Sequence, residues 1–70
     1  MKIKVNGDIK ALDFKNRTAS LAEVIEKLGH NSLMIVIEFN GTILPPQDWE
    51  TQSVQEGDIL EIVTIVGGGS

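Results

Sequence analysis

Gly57-Asp58-Ile59-Leu60-Glu61-Ile62-Val63-Thr64-Ile65-Val66 runs directly into Gly67-Gly68-Gly69-Ser70. β-Branched residues dominate the run and a turn signal precedes it, which predicts a strand. The glycines that follow bury no side chain and carry the highest backbone entropy of any residue. The sequence therefore predicts a folded body over 1–66 and a flexible, glycine-rich C-terminal tail over 67–70. A rigid strand would present that tail and its free carboxylate.

Strand parity extends this reading to the neighbouring residues. With Leu60 and Ile62 turned toward a core, Glu61, Val63 and Ile65 point the other way. A second apolar run, Leu33-Met34-Ile35-Val36-Ile37-Glu38-Phe39, reads as a central strand. The same alternation turns Ile35, Ile37 and Phe39 inward and leaves Met34, Val36 and Glu38 outside. Met34, Val36, Val63 and Ile65 are thus candidates for a partner-docking patch beside the tail. The plainer reading is scattered surface apolarity, which is normal.

The rest of the chain supplies what those two strands need. Residues 1–5 alternate, with Met1, Ile3 and Val5 on one face and Lys2 and Lys4 on the other. Asn6-Gly7 is a hairpin signal, because a type I′ turn needs positive φ at both central positions. A returning strand is expected over 8–14, carrying Ile9, Leu12 and Phe14. Residues 15–19 read as a loop.

Ser20 and Glu23 have capping-box spacing, and Leu21, Val24, Ile25 and Leu28 form one helical stripe. Gly29 is placed as the C-cap. Asn40-Gly41 marks a second hairpin, whose short strand Thr42-Ile43-Leu44 is ended by Pro45-Pro46 and so belongs at a sheet edge. Residues 47–53 read as an irregular or 3₁₀ turn carrying Trp49, which is expected to plug the end of the core rather than serve as a contact hot spot. The order predicts an α+β fold: a β-grasp, with a mixed four- to five-stranded sheet and one helix packed on one face.

Composition sets limits on function. Seventy residues allow one small domain, with a stability of about 4–10 kcal/mol. No cysteine is present, so disulfides and thiolate metal sites are excluded. The net charge of −4 argues against a nucleic-acid partner and fits either solubility or docking on a basic protein surface. The alternating N-terminus lacks a signal-peptide core, and no run has the length of a membrane span, which is compatible with a cytoplasmic protein and no membrane partner.

Catalytic machinery is sparse. The single histidine, His30, follows the helix C-cap with no obvious pairing group and reads as a solvent-facing loop residue. Asp58 after Gly57 reads as a turn residue. The glycine tail is no P-loop, because no Lys-Ser/Thr follows it. No catalytic residue and no metal ligand is assigned.

The Asn6-Gly7 hairpin, the Ser20 to Gly29 helix, the Asn40-Gly41 turn, Ile43-Leu44-Pro45 with Trp49 four residues on, and Val54-Gln55-Glu56-Gly57-Asp58 before the glycine-ended strand together resemble the ThiS family. These are ubiquitin-like β-grasp sulfur carriers of thiamin thiazole biosynthesis. The resemblance covers the whole chain. It implies a protein substrate rather than an enzyme. An adenylating, E1-like activating enzyme would use ATP on the terminal glycine carboxylate, and a sulfur donor would replace AMP to leave a thiocarboxylate. Thiazole synthase would then receive the sulfur. The carrier itself would bind no cofactor.

The family pattern ends in Gly-Gly, which falls here at Gly68-Gly69 and leaves Ser70 beyond it. The resemblance thus places the acylated residue at Gly69, with Gly67 and Gly68 as the flexible approach. For charging, Ser70 must be removed or be foreign to the chain. The alternatives are a molybdopterin-synthase small-subunit-like carrier, which shares the tail, a lysine-conjugating modifier, and a β-grasp interaction module without sulfur transfer.

Overall fold

The computed structural model describes residues 1–15 and 18–65. Strand β1 (Lys2–Val5) turns through Asn6-Gly7 into β2 (Asp8–Ala11), and a two-residue strand β3 (Ala19–Ser20) leads into helix α1 (Leu21–Leu28). A 3₁₀ turn (Ser32–Met34) precedes β4 (Ile35–Phe39), and Asn40-Gly41 returns the chain as β5 (Thr42–Leu44). A second 3₁₀ turn (Pro46–Asp48), a short β6 (Ser53–Val54) and the final strand β7 (Ile59–Thr64) follow.

The main sheet has five strands in the order β2-β1-β7-β4-β5, with β7 in the middle. β1 and β7 run parallel, and the other neighbours are antiparallel. This is the expected β-grasp. The strand that precedes the glycines is the central one of the five, paired on both sides.

Helix α1 begins where the sequence places it. Ser20 is the N-cap, and its hydroxyl accepts from the Glu23 amide at 3.1 Å while the Glu23 carboxylate accepts from the Ser20 amide at 3.0 Å. Gly29 ends it in the left-handed region at φ 83°, and its amide and that of His30 cover the Glu26 and Ile25 carbonyls. Leu21, Val24 and Ile25 are buried against Ile3, Val5, Ile35, Ile37, Leu60 and Ile62. Each such side chain contributes about 1.5–3 kcal/mol relative to exposure.

Trp49 closes the end of this core. It is 4% exposed, and its indole Nε1 donates to the Leu44 carbonyl at 3.0 Å, satisfying the one polar atom that burial would otherwise strand. The plug reading of Trp49 therefore holds.

Three expectations need correction. The second strand stops at Ala11 rather than Phe14; the amide of Leu12 donates to the Met1 carbonyl, and Leu12 and Phe14 turn in against the core. Ile9 does not join that core. The two-residue turn puts it opposite Lys4, on the outer face, where it is 71% exposed. Residues 33 and 34 are not strand, because the Asn31 side chain accepts from the Leu33 amide and winds a 3₁₀ turn first. Ala19, placed in a loop, is instead buried in a two-stranded ladder with Val54.

Candidate docking surface beside the last strand

The helix covers one face of the sheet and leaves the other open. Along β7 the exposure alternates, with Leu60 and Ile62 buried and Ile59, Glu61 and Val63 exposed. β4 has the matching pattern, with Ile35 and Ile37 buried and Val36 exposed. Val36 and Val63 are direct partners across the two strands, so their side chains rise from the same face. Beyond them the Ile65 amide donates to the Met34 carbonyl at 2.6 Å. The structure thus brings Met34, Val36, Val63 and Ile65 to one end of the sheet, with Val63 62% and Ile65 48% exposed.

Parity reasoning on two strands missed part of the surface. Ile59 is 46% exposed opposite Lys4, and Ile43 is 65% exposed opposite Glu38. With Ile9 they extend the apolar character to four of the five strands, while β1 presents Lys2 and Lys4 to that face. The signal for Ile9 and Ile43 was present in the hairpin registers, since a two-residue turn fixes which side chains share a face, and that for Ile59 in the parity of β7 itself.

β7 is held in place from both sides. The Asn6 side chain donates from Nδ2 to the Ile62 carbonyl at 3.0 Å, and its Oδ1 accepts from the Ile62 amide at 2.7 Å. Asn40 acts similarly at the start of the strand: its Oδ1 accepts from the Ile59 amide at 2.8 Å, and its Nδ2 donates to Asp58 Oδ1 at 3.2 Å. Both asparagines adopt positive φ, at 50° and 48°. Asn tolerates that region better than most residues because it bonds locally. Asp58 is the turn residue expected, with its Oδ2 accepting from the Gln55 amide at 2.8 Å.

His30 is half-buried rather than solvent-facing. It lines a groove at the end of the sheet with Ile25, Glu26, Trp49, Glu50 and Ile65. Among the described residues, no group of three or more His, Cys, Asp or Glu side chains is placed to hold a metal ion. Nor, among those residues, is any helix long and apolar enough to cross a membrane. The roles expected of Gly67, Gly68 and Gly69 lie outside the described residues.

Comparison with known proteins bears on this arrangement directly. A model described as the ThiS family matches residues 3–69. An uncharacterized protein, ycf40, of Trieres chinensis is 36% identical over 56 residues, which cover 80% of this chain and 77% of that protein. A thiazole synthase of Paramagnetospirillum magneticum is 35% identical over 72 residues, which cover 100% of this chain but 21% of that protein. The crystal structure of a thiamine biosynthesis protein (ThiS) from Geobacter metallireducens is similar with a TM-score of 0.82 at 26% identity, covering 99% of this chain and 100% of that one. The same fold end to end, together with a family match over nearly the whole sequence, leads to one conclusion: the chain belongs to the ThiS family.

Proposed function

We infer that this chain is a sulfur carrier for thiazole formation in thiamin biosynthesis, a protein substrate on which partner enzymes act. The observation that carries the reading is the family match itself, which runs from residue 3 to Gly69 and leaves Ser70 outside. In support, the sheet's middle strand leads toward the glycines, and an uncovered apolar face lies beside it.

The chemistry explains the design. A carboxylate is a poor acyl donor. Attack of the Gly69 carboxylate on the α-phosphorus of ATP, held by an activating enzyme, would release pyrophosphate and leave a mixed anhydride with AMP. Sulfur at the sulfide level, supplied by a donor, would then attack the acyl carbon and expel AMP, leaving the thiocarboxylate. The acyl end must enter a site on another protein, and glycine has no Cβ to obstruct it. Ordering the three tail residues 67–69 costs about 3–6 kcal/mol of backbone entropy. The folded body offsets that through Met34, Val36, Val63 and Ile65, docked on the partner.

Thiazole synthase is the proposed acceptor. A protein of that name carries a stretch similar to this whole chain within a fifth of its length, which favours thiazole formation over the molybdopterin alternative. ATP–pyrophosphate exchange by the activating enzyme tests the reading. Exchange should depend on the chain ending at Gly69 and vanish when residues 67–69 are deleted. Exchange that ignores the deletion contradicts it.

A further inference from the structure

On the open face, Glu38 of β4 stands directly opposite Glu61 of β7. Side chains so opposed have Cβ atoms about 4.5–5.5 Å apart, and like charges in that relation repel. Apart from Lys4, their surroundings are apolar. Val36 and Val63 form the next outward-facing pair along the ladder, and Ile43 on β5 is opposite Glu38 on its other side. Ile59 lies two residues before Glu61 on β7, and Lys4, on β1, is level with Ile59 and so diagonal to Glu61, with no cation directly opposite either carboxylate. Two carboxylates thus sit amid exposed aliphatic side chains, an arrangement that costs little in water but becomes a strong determinant once a partner excludes water.

We propose that the Glu38–Glu61 pair receives an arginine of the enzyme that activates the tail. This inference rests on the carrier reading, which supplies that partner. A guanidinium presents five N–H donors in a planar fork and can bond two carboxylates at once. Seated between Glu38 and Glu61, it would remove their repulsion, while apolar side chains around it close over Val36, Val63, Ile43 and Ile59. The chain's net charge of −4 favours a basic surface on the partner. A second copy of this chain fits poorly, because stacking two open faces would bring four carboxylates together.

The position also sets a distance. Eight residues run from Glu61 to Gly69, and fully extended they span at most about 26–29 Å. The partner's arginine must therefore lie within that reach of its adenylation site.

The test compares the chain ending at Gly69 with its Glu38→Gln/Glu61→Gln double variant. Titration calorimetry against the purified activating enzyme gives Kd, and thermal melts of the free chains give Tm. Binding should weaken about tenfold to a hundredfold, with a Tm equal to or above that of the parent, because the repulsion is gone. An unchanged Kd overturns the inference. So does weaker binding with a lowered Tm, which would make the pair a structural element of the sheet. If the parent chain neither binds nor is adenylated, the carrier reading itself fails. If the parent is adenylated and the double variant binds equally well, only the arginine site is lost.

Discussion

Asn6, in the first hairpin turn, is joined to Ile62, in the last strand, by two hydrogen bonds of 3.0 and 2.7 Å. The parallel ladder between β1 and β7 has Val5 opposite Leu60 as its last registered pair. Beyond that point the Asn6 carboxamide supplies the donor and acceptor that another backbone unit would have offered. A turn residue therefore fastens the strand that leads to the tail. Replacement by glycine keeps the positive φ and removes both bonds, so Asn6→Gly should lower stability by about 1–3 kcal/mol in urea unfolding. A loss under 0.5 kcal/mol would mean that water replaces the carboxamide at no cost.

Trp49 offers a test of the core's polar satisfaction. Phenylalanine retains most of the ring volume but has no donor for the Leu44 carbonyl. Trp49→Phe should cost about 1–3 kcal/mol and Trp49→Ala about 3–5 kcal/mol. Chemical denaturation of both variants measures the difference between the hydrogen bond and the buried surface.

At the helix C-cap the cost should be purely conformational. A Cβ added at Gly29 meets nothing within 4 Å, yet φ is 83°. Gly29→Ala should therefore destabilise the fold by about 1–2 kcal/mol through the left-handed backbone alone. Ser20→Ala, at the other end, should cost about 1 kcal/mol by opening the capping box. The two sites act at opposite ends of α1, and thermal melts should show their effects adding in the double variant.

Val63 separates binding from stability. Its side chain is 62% exposed, so Val63→Asp should lower stability by only about 1–2 kcal/mol, through the lost Val36 pair and the poor strand propensity of aspartate. The same substitution puts a charge into the apolar patch and should weaken binding to the activating enzyme at least tenfold. Equal affinity for the two chains would remove the patch from the docking surface.

Much of this architecture was legible in the residues. The capping box at Ser20 and Glu23, the two Asn-Gly turns and the Pro45-Pro46 stop are local devices, and each acts where the sequence places it. Parity placed Val36 and Val63 on one face because a strand's period of two leaves little freedom once Ile37 and Ile62 are buried. Part of what escaped depends on distant partners. Ala19 and Ser20 pair with Val54 and Ser53, and two-residue strands carry no periodic signal. Leu33 and Met34 look like strand by composition, but the Asn31 side chain wins the local competition and forms a turn. The bonds from Asn6 and Asn40 onto β7 span 56 and 19 residues, and nothing within either turn announces them.

The account stands most directly on the acyl end. Mass spectrometry of the chain ending at Gly69, after incubation with ATP, the activating enzyme and a sulfur donor, should show the mass gain of one carboxylate oxygen replaced by sulfur, located on Gly69 by fragmentation. An unmodified chain, with the same enzyme active on a known carrier, would contradict it.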